Sequence, residues 1–258
     1  MGCPVHFSTS GGMGSALLRK PETVSDILTT LVRNLSCPVT CKIRLLESEA
    51  ETVELARRIE RCGVAALAVH GRYISQRPRD AAHWHLIANV AAAVPSLPVI
   101  ANGDVFTHAD FARCRAATGA ASVMAARGAQ WDPSVFRAAG PLPGRAVRTR
   151  YVEHCVAWDN PLSNSKYCLR EMLLVAPGGL QSAEAATLHA AKTPEALASA
   201  YGVDADAAAL RAQAAAACSR ARASATAELH GGFSSAQKRS RESCEEGGDK
   251  QCVAAEAA

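Results

Sequence analysis

The feature that most constrains this chain is a rhythm of four apolar runs, CPVTCKIR, VAALAVH, SLPVIAN and AASVMAAR, separated by stretches of helical periodicity. Each run delivers a polar residue at its end: Lys42, His70, Asn102 and Arg127. Continuous apolar strands alternating with amphipathic helices specify a parallel sheet covered by helices. CPVTCKIR is β-branched and bounded by Pro38, whereas SEAETVELARRIERCG carries Val53, Ala56 and Ile59 at helical spacing and stops at Gly63. Residues 81–93 read as a helix, and THADFARCRAATG has Thr107 as N-cap, Asp110 three residues on and Gly119 as its stop. WDPSVF opens another helix, with Asp132 as cap and Pro133 at the first position. Upstream, GGMGSALL reads as a turn into a helix, followed by a helical stretch from Pro21 to about Arg33.

A (β/α) barrel builds its active site where parallel strands emerge into loops, and it needs eight βα units in about 250 residues. Only four strands fit between Met1 and Gly140. The count leaves a small doubly wound sheet or the second half of a barrel. MGCP at the start reads as the loop after a strand, which favours a chain N-terminally truncated within a barrel. The expected fold class is therefore α/β: half of a TIM (β/α)8 barrel over 1–140, a helical domain over 141–203, and a low-complexity, disordered tail over 204–258. The helical stretches are broken at Pro161 and from Pro177 to Gly179.

No run reaches the roughly 18 apolar residues of a membrane span, and the first residues lack a signal-peptide layout. A soluble, monomeric protein is expected, cytoplasmic with the nucleus as the alternative. The ten cysteines are scattered through apolar and helical stretches, which suits reduced thiols better than a disulfide scaffold. A net charge of +4 permits a nucleic-acid partner without announcing one.

Cys3 lies between Gly2 and Pro4 on a Gly-rich loop, where a structural thiol and a catalytic acid or nucleophile are equally open readings. Lys42 and Arg44 alternate with Ile43 and Leu45, so the two cations share one side of their strand. Facing a barrel mouth, such a lysine meets an anionic or electron-rich ligand; the alternative is a snorkelling surface lysine. His70, read as level with Lys42, would project into the same mouth unless it is a hydrogen-bonded structural residue. ANGD at 101–104 and ARG at 126–128 end the last two strands, where backbone amides and the Arg127 fork would hold a phosphate such as that of FMN. Cys37 and Cys41 with His83 and His85 form no tetrahedral zinc set. KRSR at 238–241 is flanked by acids and reads as a solvated tail.

With those residues in hand, the chain resembles the tRNA-dihydrouridine synthases through MGCP, GGMGSALL, PVTCKIR, AVHGR, PVIANGD and SVMAARGAQWDPSVF. DNPLSNSKYCLREML is similar to the eukaryotic branch acting at tRNA position 20. The resemblance implies FMN-dependent reduction of the uridine C5–C6 bond in the tRNA D loop, with NADPH or NADH as reductant. It implies Cys3 as the acid that protonates C5, and Lys42 and His70 at the flavin ring. It also implies Arg72 near the substrate, and Asn102, Gly103, Asp104, Ala126 and Arg127 at the FMN phosphate. Arg145, Arg148, Arg150, Lys166 and Arg170 become candidate tRNA phosphate contacts. Residues 145–203 hold six Lys/Arg against five Asp/Glu, so any basic surface must come from arrangement. A noncatalytic tRNA-binding fragment, or another FMN barrel oxidoreductase acting on a small molecule, would share parts of this pattern.

Overall fold

The structure is a computed structural model and describes residues 1–203, 206 and 208–220. Four strands form one parallel sheet: β1 (Thr40–Leu45), β2 (Ala66–Tyr73), β3 (Val99–Asn102) and β4 (Ser122–Met124). Their spatial order is β1-β2-β3-β4. A doubly wound sheet reverses direction partway, so an order without reversal fits part of a barrel instead. The crossover helices α3 (Glu49–Arg61), α4 (Trp84–Ala93) and α5 (His108–Thr118) pack into one core on one face of the sheet.

The core lies between that face and the helices. Cys41, Ile43, Leu45, Leu67, Val69, Val99 and Ala101 meet Leu55, Ile59, Ile87 and Val90 there, with Leu18, Val24 and Leu28 from the N-terminal segment. Period-2 alternation sends every second residue of β1 to β3 the other way, which places Lys42, Arg44, His70 and Asn102 on the opposite face.

Helix boundaries follow local chemistry. Ser48 and Glu51 form a reciprocal capping box at the start of α3. At α5 the Asp110 carboxylate accepts from the Phe106 and Thr107 amides, and Gly119 ends the helix at φ 64°. The helix expected from residue 81 begins at Trp84, because the amides before it bond elsewhere: Ala82 to the Asp104 carboxylate and His83 to the Gly71 carbonyl. WDPSVF makes only a 3-10 turn over Pro133–Phe136, with the Asp132 carboxylate accepting from the Ser134 amide as its cap. The opening segment forms a short α1 (His6–Ser10) and a 3-10 helix (Gly14–Arg19), then α2 (Pro21–Asn34). A five-residue helix, α6 (Arg127–Trp131), follows β4.

The later helices are α7 (Gly144–Ala157), α8 (Leu162–Leu173), α9 (Ala183–Ala190) and α10 (Pro194–Ala200). The single helix suggested by AEAATLHAAKTPEALASAYG is broken into two, since the Thr193 hydroxyl caps the Ala196 amide and Pro194 starts a new helix. By contacts the chain divides into Met1–Arg148 with Lys166–His189, and Thr149–Ser165 with the described residues from Ala190 onward. That division runs through α7 and α8, whereas the sequence suggested a boundary at residue 140. Residues 208–220 of the stretch expected to be disordered are helical; 221–258, including KRSR, lie outside the described residues. The cysteines among the described residues are all unbonded thiols. Among those residues no helix is long and apolar enough to cross a membrane.

A candidate ligand site at the strand ends

Strand register builds the site. Arg44 pairs with His70, His70 with Asn102, and Asn102 with Met124, so these residues form one rung across the sheet. Lys42 pairs with Ala68, two rungs below. The expectation that His70 stands level with Lys42 is therefore corrected: its rung partner is Arg44, and Lys42 shares the face two residues earlier on β1.

Arg44 is buried and donates through Nη1 to the carbonyls of Tyr73 (2.9 Å) and Gln76 (3.0 Å), fastening the loop after β2. Lys42 has no hydrogen-bond or ion-pair partner among the described residues, and burial, then the Arg44 charge, pushes its ammonium below the usual lysine range. Burial, then the charges of Arg44, Lys42 and Arg72, push the His70 pKa down to about 3. The imidazole is therefore neutral at physiological pH.

Arg72 is a buried guanidinium, 3% exposed, committed to the protein. It donates to the Asp80 carbonyl (2.5 Å), to Asp104 Oδ1 (2.5 Å) and towards His70 Nε2 (3.1 Å). Asp104 Oδ1 also takes Arg127 at 3.0 Å, while its Oδ2 accepts from the Ala82 amide. Asp104 sits at φ 55°, a left-handed conformation that Asp tolerates. Gly103 at φ 127° leaves no room for a side chain, since a Cβ would stand 2.8 Å from that of Ala82. Trp84 Nε1 donates to the Gly103 carbonyl, and the buried Asn102 amide donates to the Met124 carbonyl.

Arg72, Asn102, Gly103, Asp104 and Arg127 line a cavity of about 70 Å³ together with Arg44, His70, Val105, Phe106 and Ala126. That is below the roughly 300 Å³ of a drug-sized pocket and suits a single anionic group. Arg127 is half-buried at its edge, with its guanidinium 5.0 Å from the Phe106 ring centroid and 5.7 Å from that of Trp131. The two rings stack at 5.5 Å with an interplanar angle of 11°. Gly128 lets α6 approach, because a Cβ there would meet the Val105 carbonyl oxygen at 2.5 Å.

Cys3 is exposed. The Ser8 hydroxyl donates to its Sγ at 3.3 Å and, with the Val5 amide and the Arg44 charge, draws the thiol below its ordinary range. The loop is held by the Ser15 amide on the Cys3 carbonyl (2.9 Å) and by Gly14 at φ 58°, whose Cβ would stand 2.5 Å from that oxygen. Gly2 packs against Ile43 and Arg44, so Cys3 neighbours the β1 end of the rung.

The basic residues of the helical region differ in availability. Arg148 is buried and bidentate on Glu184, at 2.7 Å through both Nε and Nη2. Arg145 reaches the same carboxylate at 3.2 Å, and Lys166 donates to the His189 carbonyl. Arg150 is exposed beside Glu153, and Arg170 is exposed. Arg44 could have been drawn into the site set from its alternation with Lys42. Phe106 and Trp131 carried no signal, since residues 25 apart in sequence meet only through the fold.

A tRNA-dihydrouridine(20) synthase [NAD(P)+] of Schizosaccharomyces pombe is 32% identical over 209 residues, 79% of this chain and 43% of the relative. One of the same name from Saccharomyces cerevisiae is 33% identical over 186 residues, 67% of this chain and 48% of the relative. A tRNA-dihydrouridine(16) synthase of Cupriavidus necator is 43% identical over 135 residues, 51% of this chain and 42% of the relative. The chain thus spans a little under half the length of these relatives. The family model described as dihydrouridine synthase (Dus) matches residues 1–172, taking in Cys3, the whole rung and the Arg127 pocket, and the chain belongs to that family.

Proposed function

We propose that this chain serves FMN-dependent reduction of a D-loop uridine of tRNA to 5,6-dihydrouridine, at position 20, with NADPH or NADH as reductant. The observation that carries the reading is the charge balance at the strand ends. Arg72 and Arg127 share one carboxylate, Asp104, while Arg44, Lys42 and Arg72 act together on a neutral His70. A half-buried ammonium with no partner among the described residues calls for an electron-rich ligand, and a small cationic cavity beside it suits a phosphate. FMN joins those two features in one molecule, so the residues present fit it.

Lys42 and His70 would hold the ring, and Arg127 the phosphate, with backbone from Asn102, Gly103 and Ala126 alongside. Asp104 carries like charge and would act there through Arg127 rather than on the phosphate. FMN, when bound and reduced, would supply the hydride chemistry at uracil C6. Cys3 Sγ would hold the proton destined for C5, with the Ser8 hydroxyl steadying the sulfur once that proton has left. Arg72, buried and fully engaged, would serve the ring site rather than touch RNA. In the helical region Arg150 and Arg170 would meet tRNA phosphates most directly, with Arg145 and Lys166 joining by exchanging partners and Arg148 holding Glu184. Position 20 is supported by match length: the two relatives named for it align over 209 and 186 residues, the one named for position 16 over 135.

The test is purification of the chain with FMN, NADPH and unmodified tRNA, reading flavin retention and dihydrouridine by mass spectrometry. Flavin is expected to stay bound, and Cys3→Ala is expected to abolish turnover while sparing tRNA affinity. A chain that retains neither flavin nor tRNA, or whose turnover survives Cys3→Ala unchanged, refutes the proposal.

A further inference from the structure

The contact between Arg72 and His70 constrains where a proton can sit. An arginine side chain only donates hydrogen bonds. Arg72 Nη1 stands 3.1 Å from His70 Nε2, so that nitrogen must present a lone pair. Imidazolium and the Nε2–H tautomer would each oppose an N–H to an N–H. Of the three protonation states only the neutral ring protonated at Nδ1 is compatible with the contact, and Nδ1 has no hydrogen-bond partner among the described residues.

Arg72 cannot turn away easily. Its Nε is held by the Asp80 carbonyl at 2.5 Å and its Nη2 by Asp104 Oδ1 at 2.5 Å, with the Pro78 carbonyl at 3.5 Å. Asp104 is itself anchored by the Ala82 amide at 2.7 Å and by Arg127. The charged groups acting on His70 are Lys42, Arg44 and Arg72, which disfavour a second proton, and Asp104, which favours it weakly.

We infer that Arg72, braced by Asp104, is a positioning residue that locks His70 in its Nδ1–H form, so that the ring offers one N–H donor to an acceptor atom of the ligand. The ligand half of this inference rests on the flavin reading of the same site: the acceptor is then a carbonyl oxygen or unprotonated nitrogen of the flavin ring. The lock makes the donor insensitive to pH across the neutral range, and it gives Arg72 a function without any contact to RNA.

The tautomer is read by ¹⁵N-edited NMR of the histidine side chains in the purified full chain, with His70 identified by the resonance lost in His70→Gln. The expected wild-type result is a pyrrole-like Nδ1 and a pyridine-like Nε2, with the Nδ1–H form in about tenfold excess or more, as a charge-assisted hydrogen bond should give. Arg72→Met should release the ring to a mixture containing the Nε2–H form. If that variant does not fold, Asp104→Asn is expected to lower the excess, and the wild-type spectrum alone is decisive. An Nε2–H ring or an imidazolium near pH 6 in the wild type overturns the lock. Adding FMN should shift the Nδ1 resonance. A chain that binds FMN with Nδ1 unmoved overturns the ligand half, whereas a locked ring in a chain that binds no FMN leaves the lock standing and refutes the flavin reading.

Discussion

Gly128→Ala is the most searching perturbation of the Arg127 pocket, because it adds one methyl group where the structure has no space. The new Cβ would stand 2.5 Å from the Val105 carbonyl oxygen and 3.0 Å from the Phe106 Cα, both backbone atoms that cannot rotate aside. Restoring an ordinary separation of roughly 3.2–3.4 Å requires α6 to retreat by about 0.7–0.9 Å, against a carbon contact optimum near 3.5 Å. Arg127 is the first residue of that helix, so its 3.0 Å bond to Asp104 would open and its place over Phe106 would shift. Overpacking of this kind costs about 1–3 kcal/mol. For a domain of this size that lowers Tm by about 2–12 °C. The assay pairs a thermal melt followed by circular dichroism with FMN titration of the folded variant, and a loss of affinity is expected beyond what the unfolded fraction explains. An unchanged melt, or a lowered melt with unchanged FMN affinity, refutes the claim that close approach of α6 sets the Arg127 position.

Other consequences can be measured separately. The folded pKa of His70, about 3, lies below its unfolded value, so the unfolded chain binds the extra proton first and stability falls as pH drops from about 6.5 towards 3. With its partial exposure discounted, the slope should amount to about 2–3 kcal/mol across that window and flatten in His70→Gln, as read by urea denaturation at several pH values. Ser8→Ala removes the main cause of the lowered Cys3 thiol pKa, so the pH profile of iodoacetamide alkylation should move to higher pH; an unmoved profile would discount that hydrogen bond. Glu184→Gln removes the carboxylate that the buried Arg148 holds through two bonds and should cost about 2–4 kcal/mol, most of it recovered on adding Arg148→Met. Ile59→Ala, fully buried under the sheet, should cost about 2–4 kcal/mol by denaturant titration.

The four strands were legible because each is a short apolar run set off by its own boundary, Pro38, Gly63, Pro98 or Gly119, and too short to be a helix. The caps at Thr107 and Asp132 were legible for a similar reason: they are local chemistry, completed within three residues. What escaped the sequence was register. Nothing within CPVTCKIR or VAALAVH says that Arg44 rather than Lys42 faces His70, since pairing depends on where each crossover returns the chain. The start of α4 escaped too, because Gly71 and Asp104 claim the amides of His83 and Ala82 from outside the helix. The resemblance implied substrate contacts for Arg72 and Arg148; in the structure both side chains are buried against carboxylates.

The stacked pair of Phe106 and Trp131 has a consequence for how the molecule could be followed in solution. Phe106 lines the small cationic cavity, while Trp131 lines a separate groove of about 320 Å³ together with Leu142, Arg145 and Met172. Two rings in face contact thus form a common partition, one side turned to each space, with the Arg127 cation resting against both. Indole emission is sensitive to a neighbouring charge, so an anion that draws Arg127 off the partition changes the light from Trp131. The same indole answers to whatever enters the groove behind it, which makes this wall a native optical probe of two compartments at once.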